Sequence, residues 1–179
     1  MRIKKRILPS LIFMAVALLL AACSASGCYE NHSAIPLAAF YSESDNKAIS
    51  ISNIEIGGVD APDDSLLVKS GDAASEVYLP FRFNRDELTF FIRYMDGETV
   101  TSEDYVTFKY TAIPFFAGEA CGALYNYRIE EVTHTDNVLK KVELADEVIT
   151  NIDRVYIRFY FQTSEEGGDD PNPEEPVML

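Results

Sequence analysis

Tryptophan is missing from this 179-residue chain, histidine occurs only twice and cysteine three times. Each scarcity removes a class of chemistry. His32 and His134 stand alone, in no HExxH or other metal-ligand spacing, so the usual zinc-hydrolase signature is absent and both read as ordinary surface residues. No Cys-x-x-Cys occurs, which argues against a thioredoxin-like redox centre. No Gly-x-Ser-x-Gly elbow occurs either, so a serine hydrolase lacks its customary sign. Basic residues do not cluster after Arg6, and phosphate recognition rests on such clusters, which argues against nucleic acid. No window of fifteen residues holds a 3.6-residue apolar period, and no internal repeat is found; a helical bundle is not expected.

The first 23 residues carry the clearest signal. Arg2, Lys4, Lys5 and Arg6 precede a mostly apolar, uncharged segment from Ile7 to Ala22, the layout of a secretory signal. It closes on Leu20-Ala21-Ala22-Cys23, which matches a bacterial lipobox: cleavage before Cys23 and acylation of that cysteine are expected. A transmembrane helix is the rival, but the run falls short of the ~20 residues that span a bilayer and holds Pro9 near its start. Cleavage removes four of the fifteen basic residues and no acid, leaving 11 against 29 and a formal charge of −18 over 157 residues. Such a surface repels nucleic acid and anionic headgroups.

Assigning Cys23 to lipid leaves an even pair, Cys28 and Cys121, in an oxidising compartment. A bridge between them would close a loop of more than ninety residues, worth up to ~4–5 kcal/mol on chain-entropy grounds. Two free thiols, or Cys28 as a loose stalk residue, are the alternatives. The expected organisation is a signal peptide over 1–22, a lipid-anchored tether over 23–33, a folded domain over 34–163 and an acidic tail over 164–179. That tail holds six acids, three prolines and two glycines with no base, a composition unable to pack a core. Cys23 is followed neither by an aspartate-type retention signal nor by an acidic export tag. Both absences place the anchor on the periplasmic face of the outer membrane.

The folded part reads as strands. Ile35 to Tyr41 is apolar. Ile49, Ile51, Ile54 and Ile56 suggest a strand with a bulge or a shift of face, which Gly57-Gly58 breaks. Val77-Tyr78-Leu79 before Pro80 suits an edge strand. Leu88, Phe90, Ile92 and Tyr94 share one face, and Asp96-Gly97 follows as a hairpin turn. Val106, Phe108 and Tyr110, then Tyr125, Tyr127 and Ile129, then Val155, Ile157, Phe159 and Phe161, alternate with polar or opposite-face neighbours. Val138 to Ile149 is the single helix competitor, and Lys140 to Leu144 within it reads equally well as a short strand. Eleven Phe and ten Tyr supply core volume. The fold class expected is all-β, an antiparallel β-sandwich, immunoglobulin-like or a partly closed barrel.

Few residues suggest chemistry. Asp60, Asp63 and Asp64 form an acidic loop that invites a calcium reading, yet the EF-hand spacing fails and a solvated turn accounts for the same residues. Asp64-Ser65-Leu66 matches a short O-glycosylation signal, with Ser65 as acceptor; Asn31-His32-Ser33 fits the N-glycan sequon. Gly118-Glu119-Ala120-Cys121-Gly122 has the look of a nucleophile turn, but no histidine is placed to activate Cys121. Glu130-Glu131 is one of many acidic pairs, uninformative because sequence adjacency cannot show a separation across a sugar. No catalytic residue, metal or cofactor is assigned.

Cys28, Ile35-Pro36-Leu37, Phe40-Tyr41, Ile56-Gly57-Gly58-Val59, Asp64-Ser65-Leu66, Val77-Tyr78-Leu79-Pro80, Ile113-Pro114-Phe115-Phe116, Cys121-Gly122 and the Arg154–Phe161 strand occur in order. Together they resemble a family of small Bacteroidota lipoproteins of unknown function, over about residues 28–163. The resemblance implies an address and a fold more than an activity. The expected role is non-catalytic: a lipid-anchored envelope component that binds a protein partner or serves structurally. The alternatives are a carbohydrate- or calcium-binding module and, behind it, an envelope hydrolase.

Overall fold

A computed structural model describes residues 32–118 and 121–163. The proposed signal peptide, Cys23, Cys28, Asn31 and the acidic tail lie outside the described residues. The strands are β1 Leu37–Ser42, β2 Ile54–Gly58, β3 Leu66–Val68, β4 Glu76–Tyr78, β5 Glu87–Asp96, β6 Thr99–Gly118, β7 Gly122–His134, β8 Leu139–Leu144, β9 Val148–Ile149 and β10 Val155–Phe161. They form a four-stranded sheet, order β4-β1-β10-β8, and a six-stranded sheet, order β3-β2-β5-β6-β7-β9. The all-β, two-sheet sandwich is as expected, and one sheet curls towards a half-barrel. Val138 to Ile149 resolves as strand, not helix.

One pairing departs from a purely antiparallel sandwich. β1 runs parallel to β10, with Phe40 opposite Phe159 and Tyr41 opposite Tyr160. The two strands are the first and last of the fold, so no tight hairpin dictates their relative direction. Phe40 lies 5.3 Å from Phe161, edge to face, and such ring pairs help hold the register.

The core lies between the sheets. Phe40, Ile157, Phe159 and Phe161 pack from the smaller sheet, and Ile54, Ile56, Ile92, Val106, Phe108 and Tyr110 from the larger. The expected alternation holds on β5, where Phe90, Ile92 and Tyr94 are buried. It is less clean on β10, because Tyr156 and Tyr160 on the opposite face are buried too. Tyr160 is covered by the Tyr41 ring at 5.5 Å and donates a 2.6 Å hydrogen bond to Glu143.

Two further readings are corrected. Ile49 to Ile56 is not one bulged strand. Ile51 bridges Ala74, while Ile54–Gly58 pairs with β5, so the chain changes partners between them. Nor do the glycines break the strand, for Gly57 and Gly58 are its last two residues. A Cβ on Gly57 would stand 2.5 Å from the Phe91 ring; the missing side chain makes room for that ring, over which the Arg93 guanidinium lies at 4.2 Å. Replacing Gly57 by Ala should cost about 1–3 kcal/mol through overpacking. Adding Phe91→Ala should recover part of it, read as non-additive shifts in denaturant midpoint.

The chain passes between the sheets several times, and side-chain staples fix three of these passages. Phe81, after β4, packs on Tyr110 at 4.6 Å and on Tyr127 and Phe108 at 5.4 Å each. The Tyr110 hydroxyl donates to the Arg82 carbonyl at 2.9 Å and accepts from the Arg82 N–H at 3.2 Å. Near β9, the Tyr156 hydroxyl accepts from the Thr150 N–H at 3.2 Å. The third passage, β7 to β8, is tied to Asp104.

Candidate functional site

Asp104 is fully buried in the first third of β6. It occupies the same inward phase as Val106, Phe108 and Tyr110, so the strand turns a carboxylate towards the core. One oxygen accepts from Thr135 Oγ1 at 2.6 Å and the Asn137 N–H at 2.9 Å. The other accepts from the Tyr94 hydroxyl at 2.9 Å and from the N–H groups of Val138 and Leu139, each at 2.8 Å. Burial alone pushes the pKa of Asp104 up. Bonds from Leu139, Thr135, Asn137 and Val138 together outweigh it and hold the group below the usual carboxylate value. The Tyr94 phenol is driven the other way, far above its ordinary range, by burial first and the adjacent carboxylate second. With five donors on its two oxygens, Asp104 holds the β7–β8 crossing rather than offering a base.

Tyr94 also lines an open cleft of about 600 Å3 at the same end of the sandwich. Ile49, Ile51 and Phe161 supply its apolar part. Asn53, Ser102 and Gln162 supply amide and hydroxyl groups, and none of the lining side chains is charged. The arrangement suits a neutral polar ligand more than an ionic one. Two smaller clefts lie elsewhere. One, of about 100 Å3, is bordered by Asp60, Ser65, Arg82 and Arg85. The other, of about 230 Å3, is bordered by Ile35, Tyr78 and Ile152, with Tyr78 donating to Asp153 at 2.8 Å.

The predicted site residues are scattered rather than gathered. Asp60 and Asp63 are exposed and take positive φ of 59° and 57° in the turn before β3, while the Asp64 side chain falls outside the description. Among the described residues no group of three His, Cys, Asp or Glu stands close enough to hold a metal ion. Ser65 is exposed just after that turn, and its N–H donates to the Pro62 carbonyl at 3.3 Å. His32, ahead of β1, and His134, the last residue of β7, are exposed, and each ring Nδ1 meets a neighbouring backbone carbonyl. Glu130 and Glu131 engage Thr111 and Lys109 on the outside of the β6–β7 pair.

The glycine-flanked stretch read as a nucleophile turn is the tip of the β6–β7 hairpin, with Gly118 paired to Gly122. Positive φ at both, 141° and 65°, makes the turn. Cys121 donates its N–H to the Gly118 carbonyl at 3.1 Å and is disulfide-bonded; Cys28 lies outside the described residues. The start of the described chain runs beside this hairpin. Ala34 donates its N–H to the Tyr125 carbonyl at 2.8 Å, and the Tyr125 N–H donates to Ser33 Oγ at 3.1 Å.

Asp104 was missed because the residues before Val106 gave no alternation to follow, although its even-numbered phase with Val106 and Phe108 was a usable sign. The hairpin's reach was missed because Ile113 to Phe116 is apolar on both faces.

These features define a class: a two-sheet, all-β protein whose buried polar groups pin its crossings, with a long apolar hairpin at one end. A family model described as a family of unknown function, DUF6452, matches residues 53–161, and the chain belongs to that family. The match opens just before β2 and closes with β10. It leaves out β1, though β1 sits inside the smaller sheet between β4 and β10. No curated protein and no solved structure matches the chain.

Proposed function

We propose that this protein is a lipid-anchored component of the cell envelope, non-catalytic, with a binding or structural role. The observation that carries the reading is Leu20-Ala21-Ala22-Cys23 at the end of a charged-then-apolar segment, upstream of a two-sheet body that starts at Ala34. The periplasmic face of the outer membrane is the address the residues after Cys23 favour. Cys28 is the partner we assign to the disulfide on Cys121, which ties the tether to the hairpin tip. Strand addition is the weaker way for this body to bind: the edge strands β3, β4 and β9 have three, three and two residues, and the remaining edge, β8, carries Lys140 and Lys141.

Changing Cys23 to Ser in the full chain should move the protein from the membrane fraction to the soluble fraction. The acylated N-terminus should disappear from its mass spectrum. A Cys23→Ser protein that still sediments with membranes and still carries the lipid mass would overturn the reading. Crosslinking and pull-down of both forms should recover envelope partners from the anchored form only.

The neutral cleft of about 600 Å3 favours a second reading, a module that binds a neutral glycan. Ligands that bind only the folded state stabilise it in proportion to the logarithm of one plus concentration over Kd, so the melting temperature climbs with the logarithm of ligand concentration above Kd. Neutral oligosaccharides should then raise it and calcium should not.

A further inference from the structure

We propose that the outer part of the β6–β7 hairpin seats in the surface of a lipid bilayer and acts as a second, protein-made contact beside the lipid. The register pairs Pro114 with Tyr125 and Phe116 with Ala123, so these four side chains share one face. Phe83 stacks on Tyr125 with ring centroids 4.7 Å apart and planes 12° from parallel, extending that face. Phe116 is 73% exposed and Phe83 59%. Between Thr111 and Tyr127 only Glu119 is charged, in a chain with 25% charged residues. An exposed aromatic face without charge is costly in water and marks a contact surface; aromatic rings of this kind favour the membrane–water interface.

Chain length selects the occupant, and here the inference rests on the lipid-anchored reading. The backbone enters the body beside Tyr125, and Cys23 stands nine residues before His32. Nine extended residues reach about 30 Å at most. A lipid on Cys23 therefore keeps this hairpin end near the bilayer, on a body otherwise acidic enough to stand off from anionic surfaces. The disulfide at Cys121, if made with Cys28, shortens that tether further.

Because the chain has no tryptophan, Phe116→Trp installs a single tryptophan near the tip, excited selectively at wavelengths where the tyrosines do not absorb. Val100→Trp, exposed at the opposite end of β6, is the control. Each full-length lipidated variant is reconstituted into phosphatidylcholine vesicles with brominated acyl chains. The expected result is a blue-shifted Phe116→Trp emission that loses most of its intensity to the bromolipid, with the Val100→Trp emission unchanged. Protein that floats with the vesicles but shows no quenching at position 116 overturns the inference and leaves the anchor standing. Phe116→Trp emission already blue-shifted without vesicles, from contact with a second copy or with the chain's own residues, also overturns it. Should the mature protein with Cys23 intact carry no acyl chain, flotation with quenching at position 116 sustains the hairpin contact and removes the lipid anchor. The same Cys23-intact, acyl-free protein neither floating nor quenched overturns both.

Discussion

Replacing Asp104 by alanine should destabilise the fold by about 3–5 kcal/mol, the cost expected when one member of a buried, hydrogen-bonded charged group is removed. The loss comes mainly from the donors left behind. Asn137, Val138 and Leu139 all direct backbone N–H groups at the carboxylate; Leu139 is buried and Val138 half-buried, and an orphaned buried donor costs about 1–3 kcal/mol. Asparagine should not rescue. Whichever oxygen becomes the amide nitrogen, at least one backbone N–H then faces another donor. Tyr94→Phe removes one hydroxyl donor and should cost less, about 1.5–3 kcal/mol, because a single hydrogen bond to a charged group is lost. Urea denaturation of the three variants gives the ranking. Asparagine behaving like the native residue would show that the charge and its five donors do not hold the crossing.

The same group makes a pH prediction with a definite sign. The carboxyl of Asp104 sits below its ordinary pKa in the folded protein, so the unfolded chain binds the proton more readily. Its contribution is complete above the unfolded carboxylate's pKa, near ~3.9. It falls away as pH drops through the depressed folded value. Glu103, Glu143 and Asp146 are lowered as well, and all three lie near the surface, where exposed pairs add little. The decline in stability between about pH 5 and pH 2 should therefore be steeper in the native protein than in Asp104→Ala.

How much of this could be read from residue order follows from the physics of each element. β5 and the middle of β6 announce themselves, since one face meets the core and the other meets water, and period two results. β10 was legible in its phase but not in its burial, because Tyr160 is covered on the outer face by Tyr41, distant in sequence, and Tyr156 by Arg154 and the β9–β10 connection at Thr150. The parallel β1–β10 pair was not legible: pairing direction between the first and last strands depends on how every intervening strand stacks. Gly57 misled for a simple reason. A glycine pair signals a break unless a ring from the neighbouring strand fills the vacated space, and Phe91 does so. For the site, the local sequence located Ser65 and the aspartates in an exposed turn, but a cleft assembled from Ile49, Tyr94, Ser102 and Gln162 draws on four separated segments. The Asp104 cluster is likewise a meeting of β5, β6 and the β7–β8 crossing. Only its inward phase on β6 was written in the order of residues.

Phe81→Ala should produce the other large loss, about 3–5 kcal/mol for emptying a buried phenylalanine site. Phe81 lies outside any strand, where loop residues are ordinarily exposed, yet it is 8% exposed and its ring meets those of Phe90, Phe108, Tyr110 and Tyr127. The backbone on either side is also fixed: the Phe81 carbonyl accepts from the Tyr127 hydroxyl at 3.3 Å, and Arg82 is held by Tyr110. Removing the ring leaves these bonds in place, so the site cannot collapse freely and the cavity term is retained. Phe81→Leu keeps most of the volume and should cost under about 1.5 kcal/mol. Here the passage between sheets is held by apolar packing, whereas the Asp104 crossing is held by ionised hydrogen bonds, and pH separates the two. Acidification should weaken Phe81→Ala as steeply as the native protein, because Asp104 is intact in both. Equal pH slopes for Phe81→Ala and Asp104→Ala, both flatter than native, would mean that emptying the Phe81 site also undoes the carboxylate cluster, and that the two crossings are one cooperative unit rather than two.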